Sequence, residues 1–193
     1  MDYTKISQEA ILEWLKLNLT EHRLSHSIGC AETAVELAKK FELNEKRAYI
    51  AGLLHDCAKC YKTEELLEII KTHMPEVDEC EISNHKTLHA PVSAYLAKSE
   101  FGVEDGEILS SIRWHTLGKT DMSVFEKVIF LADKIEPNTR DSAYREEILK
   151  TLEQKNGLNQ ALLICYKETI KSLVKRDLQI CTPTIEIYNQ LLG

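Results

Sequence analysis

Ala48-Tyr49-Ile50-Ala51-Gly52-Leu53-Leu54-His55-Asp56 is a nearly continuous apolar run that ends in two ionisable side chains. On a helix, His55 lies one turn beyond Ala51 and Asp56 one turn beyond Gly52, so both continue apolar stripes. A carboxylate buried there is unfavourable unless something compensates its charge. Val128-Ile129-Phe130-Leu131-Ala132-Asp133 repeats the arrangement, with Asp133 one turn beyond Ile129. Neither run contains a Lys or Arg. Two carboxylates so placed require a cation, and a metal ion would supply it.

Around these runs, apolar residues recur at three- and four-residue spacing almost throughout the chain. Ser7 is expected to cap a first helix through Ile11, Leu12 and Leu15. A second helix is expected at about 24–41 and a third at about 44–58, with Thr63 capping a short one through Leu66, Leu67 and Ile70. The polar stretch 73–86 carries Pro75 and reads as a loop or broken helix. Helices are expected again at about 87–101, 104–114 and 123–135, the last stopped by Pro137-Asn138. Others follow at about 143–154, 158–175 and 184–192. No alternating strand pattern, internal repeat or glycine-rich phosphate loop interrupts them. The expectation is one all-α domain over 1–193, its ligand-bearing core at about 20–140 and its C-terminal helices completing the bundle.

Composition agrees. The chain has 193 residues, 44 % of them hydrophobic, with only 7 Gly and 4 Pro, enough apolar material for a core and few helix breakers. A net charge of -7 argues against a nucleic-acid partner. The start Met1-Asp2-Tyr3-Thr4-Lys5 lacks signal-peptide character, and no apolar run approaches the roughly 20 residues of a membrane span. A cytoplasmic chain with no membrane partner is expected. In that compartment Cys30, Cys57, Cys60, Cys80, Cys165 and Cys181 default to free thiols. Cys57 and Cys60 form a C-x-x-C, but it follows a helix with no βαβ context, so a redox or zinc role is set aside. His22, His73 and His85 read as solvated, and Trp14 and Trp114 as core aromatics. Val174-Lys175-Arg176 reads as a helix C-terminus.

Three further histidines fall in helical positions. His26 sits inside the second helix, His89 near the start of a later one, and His115 near the end of the next. Singly, each reads as a hydrogen-bonded core residue; beside His55 and two misplaced aspartates they read together as ligands. Mixed imidazole–carboxylate sites suit iron, manganese or zinc better than calcium.

The ordered set His26 … His55-Asp56 … Asp133 resembles the HD-domain superfamily of metal-dependent phosphohydrolases, all-α helical bundles in which the His-Asp doublet ends an apolar helix. His89 and His115 look like the extra ligands of members that hold two metals. The local wording is similar to the YqeK family, bacterial hydrolases that split diadenosine tetraphosphate into two ADP. It is carried by Arg23-Leu24-Ser25-His26, the stretch from Gly52 to Lys59, Leu88-His89-Ala90-Pro91, Trp114-His115-Thr116, the stretch from Ala132 to Asn138, and Thr182-Pro183-Thr184-Ile185. Two positions depart from that pattern: Thr139 stands where an arginine is expected, with Arg140 next to it, and Ser93 stands where glycine is expected. The first falls at a phosphate contact, the second at a helix-packing position.

The resemblance implies that His26, His55, Asp56 and Asp133 hold one metal, with Asp56 bridging to a second held by His89 and His115. A di-iron centre is the first expectation, with manganese and zinc as alternatives. Two metals sharing a water lower its pKa to about 7, giving a hydroxide for in-line attack on phosphorus. Asp56, Lys59, His89 and His115 are the candidate catalytic residues. Lys59, three residues after Asp56, and Arg23, three before His26, are placed toward the ligand face and are candidate phosphate contacts, as are Thr116, Thr139 and Arg140. The expected partners are a dinucleoside polyphosphate, its ADP product and a second copy of the chain in a homodimer. Competing readings are a phosphohydrolase of other nucleotides, a nucleotide sensor without turnover, and a structural helical domain.

Overall fold

The computed structural model describes residues 3–193, so Met1 and Asp2 of the N-terminal stretch lie outside the described residues. Helices α1 (Gln8–Asn18), α2 (Glu21–Lys40) and α3 (Glu45–Leu54) each begin at a short polar cap. Ser7, Thr20 and Asn44 accept the backbone N–H groups of Ala10, Arg23 and Arg47. The third helix ends before the expected boundary. Asp56 leaves helical geometry at φ -111 and ψ 13, and a 3-10 turn, Cys57–Cys60, follows. The hydroxyl of Ser93 accepts the Ala58 N–H at 3.1 Å, replacing an acceptor that a continuous helix would have supplied. Ser93 thus helps to shape the turn beside Asp56.

The remaining elements are α4 (Thr63–His73), α5 (Glu79–Ser83), α6 (His89–Ser99), α7 (Gly106–Trp114), α8 (Val124–Ile135), α9 (Ser142–Leu152), α10 (Gly157–Lys175) and α11 (Thr182–Leu192). Thr63 is the first residue of α4 and not its cap; that role falls to Lys62, whose N–H is held by Glu65 at 2.7 Å. Ser123 and Glu126 close a capping box on α8. The stretch expected as loop or broken helix contains the short α5. Among the described residues there is no strand, and no helix is long and apolar enough to cross a membrane.

Buried residues from α1 to α11 form one contiguous apolar cluster. Within it α2 lies along α3 and packs on α8, while α6 packs on α7 and on the 3-10 turn. The approach of α2 to α3 needs Gly52: a Cβ there would lie 2.7 Å from the Ala31 Cα. The C-terminal helices α9 and α10 cover α8.

Two expectations are corrected here. Cys80 and Cys181 are joined in a disulfide, Cα–Cα 5.8 Å, so not all six cysteines are thiols; Cys30, Cys57, Cys60 and Cys165 are. The chain folds α11 back beside α5, which brings together two residues 101 apart in sequence. Trp14 packs edge-on against Phe101 at 5.2 Å on the core, but Trp114 is half-buried beneath the Arg113 guanidinium at 4.1 Å, at a cavity wall. His22, His73 and His85 are exposed, and Lys175 ends α10.

Candidate metal centre

Six side chains from five helices meet at one buried point. His26 comes from the second turn of α2, His55 caps the end of α3, and Asp56 follows it out of the helix. His89 opens α6, His115 caps α7, and Asp133 lies in the last turn of α8. All six are buried. They fall into two groups that share Asp56: His26, His55 and Asp56, then Asp56, His89 and His115, the donor atoms of each group lying within 4.8 Å of one another.

The two oxygens of Asp56 face different groups. Oδ2 is 3.5 Å from His26 Nε2 and 3.4 Å from His55 Nε2. Oδ1 is 3.1 Å from His89 Nε2 and 3.4 Å from His115 Nε2. Asp133 Oδ1 joins the first group, 3.0 Å from His26 Nε2 and 3.7 Å from His55 Nε2. The side chain thus has the arrangement of a bridge.

Three of the four histidines are pinned from behind. Nδ1 of His55 lies 2.6 Å from the Gly52 carbonyl, Nδ1 of His115 2.7 Å from the Ile112 carbonyl, and Nδ1 of His26 2.9 Å from Glu136 Oε1. Each partner accepts only, so Nδ1 carries the proton and donates it, leaving the Nε2 lone pair aimed at the centre. His26 and His55 then face each other Nε2 to Nε2 at 3.2 Å, and His89 and His115 at 3.1 Å. Lone pairs set head to head, as at His26 and His55, repel unless a cation lies between them. Two ligand atoms about 2.1 Å from one metal and at right angles to each other stand about 3.0 Å apart, close to these separations. Asp56 Oδ1, buried and without a hydrogen-bond partner, is the other vacant acceptor. The donor set fits a divalent metal site.

The electrostatics agree. Burial holds the His115 imidazole down to about 3 and also lowers His89, so both are neutral donors at pH 7. Burial opposes charge on His55, but the Asp56 and Asp133 carboxylates outweigh it and raise its pKa. Burial likewise opposes ionisation of Asp56, and the imidazoles around it, His55 first, hold it well below the usual carboxylate range. Asp133 is held low against burial by Lys134, His26 and Arg140.

The idea that no Lys or Arg serves these carboxylates is corrected by the residues flanking the two runs. Lys59 Nζ lies 2.7 Å from Asp56 Oδ2, Lys134 Nζ 2.5 Å from Asp133 Oδ2, and Arg140 Nη2 2.6 Å from Asp133 Oδ1. These three cations rim the centre and remain partly exposed. Arg23 is on the surface and donates to the Lys59 carbonyl oxygen, tying the 3-10 turn to α2. Thr116 lines a small cavity beyond His115. The Thr139 hydroxyl turns inward onto Glu136 and not toward the rim.

Glu136 is the residue that sequence reasoning missed. Its fully buried carboxylate accepts from His26 Nδ1, the Thr139 hydroxyl and the N–H groups of Asn138 and Thr139. It fits where it does because position 29 is glycine; a Cβ there would lie 2.4 Å from Glu136 Oε2. In the sequence it reads as the end of α8 before Pro137, and only its position two residues before Asn138 in the quoted stretch hinted at more. Cys57 is buried, with burial pushing its thiol pKa far up, and Cys60 donates to the Cys57 carbonyl oxygen, so the C-x-x-C is two separate thiols.

A helical bundle that buries one aspartate between two pairs of histidines defines a class of metal site, and the family model for the HD domain matches residues 23–138. This chain belongs to the HD-domain family. It is similar to the symmetrical bis(5'-nucleosyl)-tetraphosphatase of Bacillus subtilis, 41 % identical over 191 residues that cover 97 % of this chain and 99 % of the relative. The enzyme of the same name from Halalkalibacterium halodurans is 39 % identical over 181 residues, covering 94 % and 95 %. A crystal structure from Clostridium acetobutylicum, described as a predicted HD superfamily hydrolase involved in NAD metabolism, superimposes with a TM-score of 0.90 at 37 % identity and covers 97 % of each chain.

Proposed function

We propose that this chain is a symmetrical hydrolase of diadenosine tetraphosphate and related dinucleoside polyphosphates, releasing two nucleoside diphosphates. The observation that carries the chemistry is Asp56, with one carboxylate oxygen turned to each histidine pair. Near-full-length likeness to two tetraphosphatases supports the substrate. The donor set suits two first-row metals, with iron the first choice and manganese or zinc next. When bound, such a pair supplies Lewis acidity toward phosphate oxygens and ionises water near neutral pH.

The chain's own residues then have separate tasks. His26, His55, Asp56 and Asp133 would hold one metal, and Asp56, His89 and His115 the other. Glu136 orients His26. Lys59, partly exposed, reaches in to the buried Asp56, so a phosphate oxygen approaching the centre from outside meets its ammonium. Arg140 holds Asp133 Oδ1 in competition with any metal, and its partly exposed guanidinium is available to phosphate. Burial of all six donors keeps bulk water from the reacting group. A nucleotide substrate makes the cytoplasm the proposed compartment.

The test is product identification. Metal-loaded protein incubated with diadenosine tetraphosphate should give ADP alone; AMP with ATP, or no product over hours, overturns the reading. Because the Clostridium acetobutylicum relative is assigned to NAD metabolism, NAD belongs in the same panel. Asp56→Ala should abolish turnover and lower metal content while helicity persists; near-normal activity in that variant would remove Asp56 from the bridge.

A further inference from the structure

A substrate with four phosphates and two nucleosides must extend well beyond six buried donors, and this chain carries a net charge of -7. Among the described residues, one cleft is walled by two of the cations that rim the centre. Its inner wall is Lys134 and Arg140, each bonded to a different oxygen of Asp133, at 2.5 and 2.6 Å. Lys134 is further held over the Phe130 ring at 4.9 Å. Arg176, the C-cap of α10, also lines the cleft and donates from Nε to the Ser172 carbonyl oxygen at 3.0 Å. Tyr144 contributes a half-buried ring whose hydroxyl bonds Cys165 Sγ at 3.1 Å. The cavity holds about 430 Å³, within the range of small-molecule sites. Lys134, Arg140 and Arg176 line the cleft with Asp141 and Glu168; Lys134 and Arg140 already share Asp133, so Arg176 carries the charge at the outer end.

The other cavities lack that combination. The one at Trp114 sets Lys98 and Arg113 against Glu76, Asp78 and Glu81, and both Nη groups of Arg113 are spent on Glu81 at 2.8 and 2.7 Å. The one at Thr116 holds about 80 Å³, too small for a nucleotide. A third, at Tyr3 and Tyr49, contains none of the six donors or rim cations.

We propose that the cleft between α8, α9 and α10 receives one nucleoside diphosphate arm of the substrate. Lys134 and Arg140 meet the phosphates nearest the centre, Arg176 acts as the outer cation, and the Tyr144 ring provides the flat wall against which a base can lie. The arm's identity rests on the function proposed above; the cleft's preference for a nucleoside diphosphate does not. It makes ADP, the expected product, a competitive inhibitor, and it disfavours substrates with no second phosphate on that side.

Arg176 is exposed and touches none of the six donors, so Arg176→Ala should fold and load metal as the parent does. Loss of one charge-assisted phosphate contact should weaken ADP binding to the metal-loaded protein about tenfold by calorimetry. KM for diadenosine tetraphosphate should rise by a similar factor with kcat within about twofold, and Arg176→Lys should restore part of the loss. If Arg176→Ala and Arg176→Glu both leave KM and ADP affinity unmoved while the tetraphosphate is split, the cleft assignment is wrong and the reaction stands. If ADP affinity falls as stated in a protein that turns over no dinucleoside tetraphosphate, the cleft stands and the proposed reaction falls.

Discussion

Replacing Glu136 by glutamine keeps the shape of a buried side chain and removes its charge, in a place where every neighbour is a donor. Oε1 accepts from His26 Nδ1 at 2.9 Å, from the Thr139 N–H at 3.0 Å and from the Thr139 hydroxyl, while Oε2 accepts from the Asn138 N–H at 2.8 Å. A carboxylate serves both sides; an amide has one oxygen. In the better of its two orientations the amide oxygen takes the Oε1 place, and its NH2 then opposes the Asn138 N–H. Leaving such a donor unpaired costs about 1–3 kcal/mol, and the surviving bonds fall to about half strength without the charge. Glu136→Gln should therefore lower the unfolding free energy of the metal-free protein by about 1–3 kcal/mol, measured in urea. His26 loses its anionic partner at the same time, so metal affinity should fall about 10- to 100-fold in a chelator-competition titration. A variant that loses the stability but keeps its metal affinity would make Glu136 a helix-end cap, with no role in orienting His26.

Other outcomes follow from the same geometry. Gly52→Ala places a Cβ 2.7 Å from the Ala31 backbone, so α2 and α3 must separate; a stability loss of about 1–3 kcal/mol in urea and reduced metal content are expected, because His26 and His55 ride on those helices. Unfolding without reductant should expose four reactive thiols to a thiol reagent, and prior reduction six, since Cys80 and Cys181 are joined. In metal-free protein, acid should destabilise the fold. Folded His115, held at about 3, refuses a proton that its unfolded form accepts below about 6.5, and His89 is shifted the same way; His55 is shifted up, so below about 6.5 it is protonated in both states and adds no slope. His115 alone gives a slope of about 1.4 kcal/mol per pH unit, steepened by His89, in denaturant titrations between pH 6 and 4, with stability falling as pH falls. A flat profile would mean that those imidazoles are not buried neutral.

The ligand set was legible because its members break local rules. An aspartate ending Val128-Ile129-Phe130-Leu131-Ala132 violates the pattern of an apolar helix face, and so does the doublet after Leu54. Residues that break no rule stayed invisible. Glu136 before Pro137 looks like any exposed helix end, although it is fully buried. Lys134 follows Asp133 directly, and adjacent side chains on a helix normally diverge, yet its ammonium turns back onto the carboxylate. Thr139 was read as a substrate contact from its position, but its hydroxyl is turned inward by the carboxylate of Glu136. The end of α3 was placed too late because the acceptor that reshapes the turn, Ser93, lies on α6.

Periodicity, caps and the placement of ionisable residues showed from the sequence alone that the chain is all helical and singled out His26, His55, Asp56, His89, His115 and Asp133 as candidate ligands. Those signals are local, carried within one or two turns of helix. The tertiary structure decided that Asp56 turns one oxygen to each histidine pair, that Glu136 stands behind His26, that three cations rim the centre, and that Cys80 meets Cys181. Each of these joins side chains on different elements or at an element's end, where orientation is set by how α2, α3, α6, α7 and α8 pack, and no spacing along the chain encodes that packing.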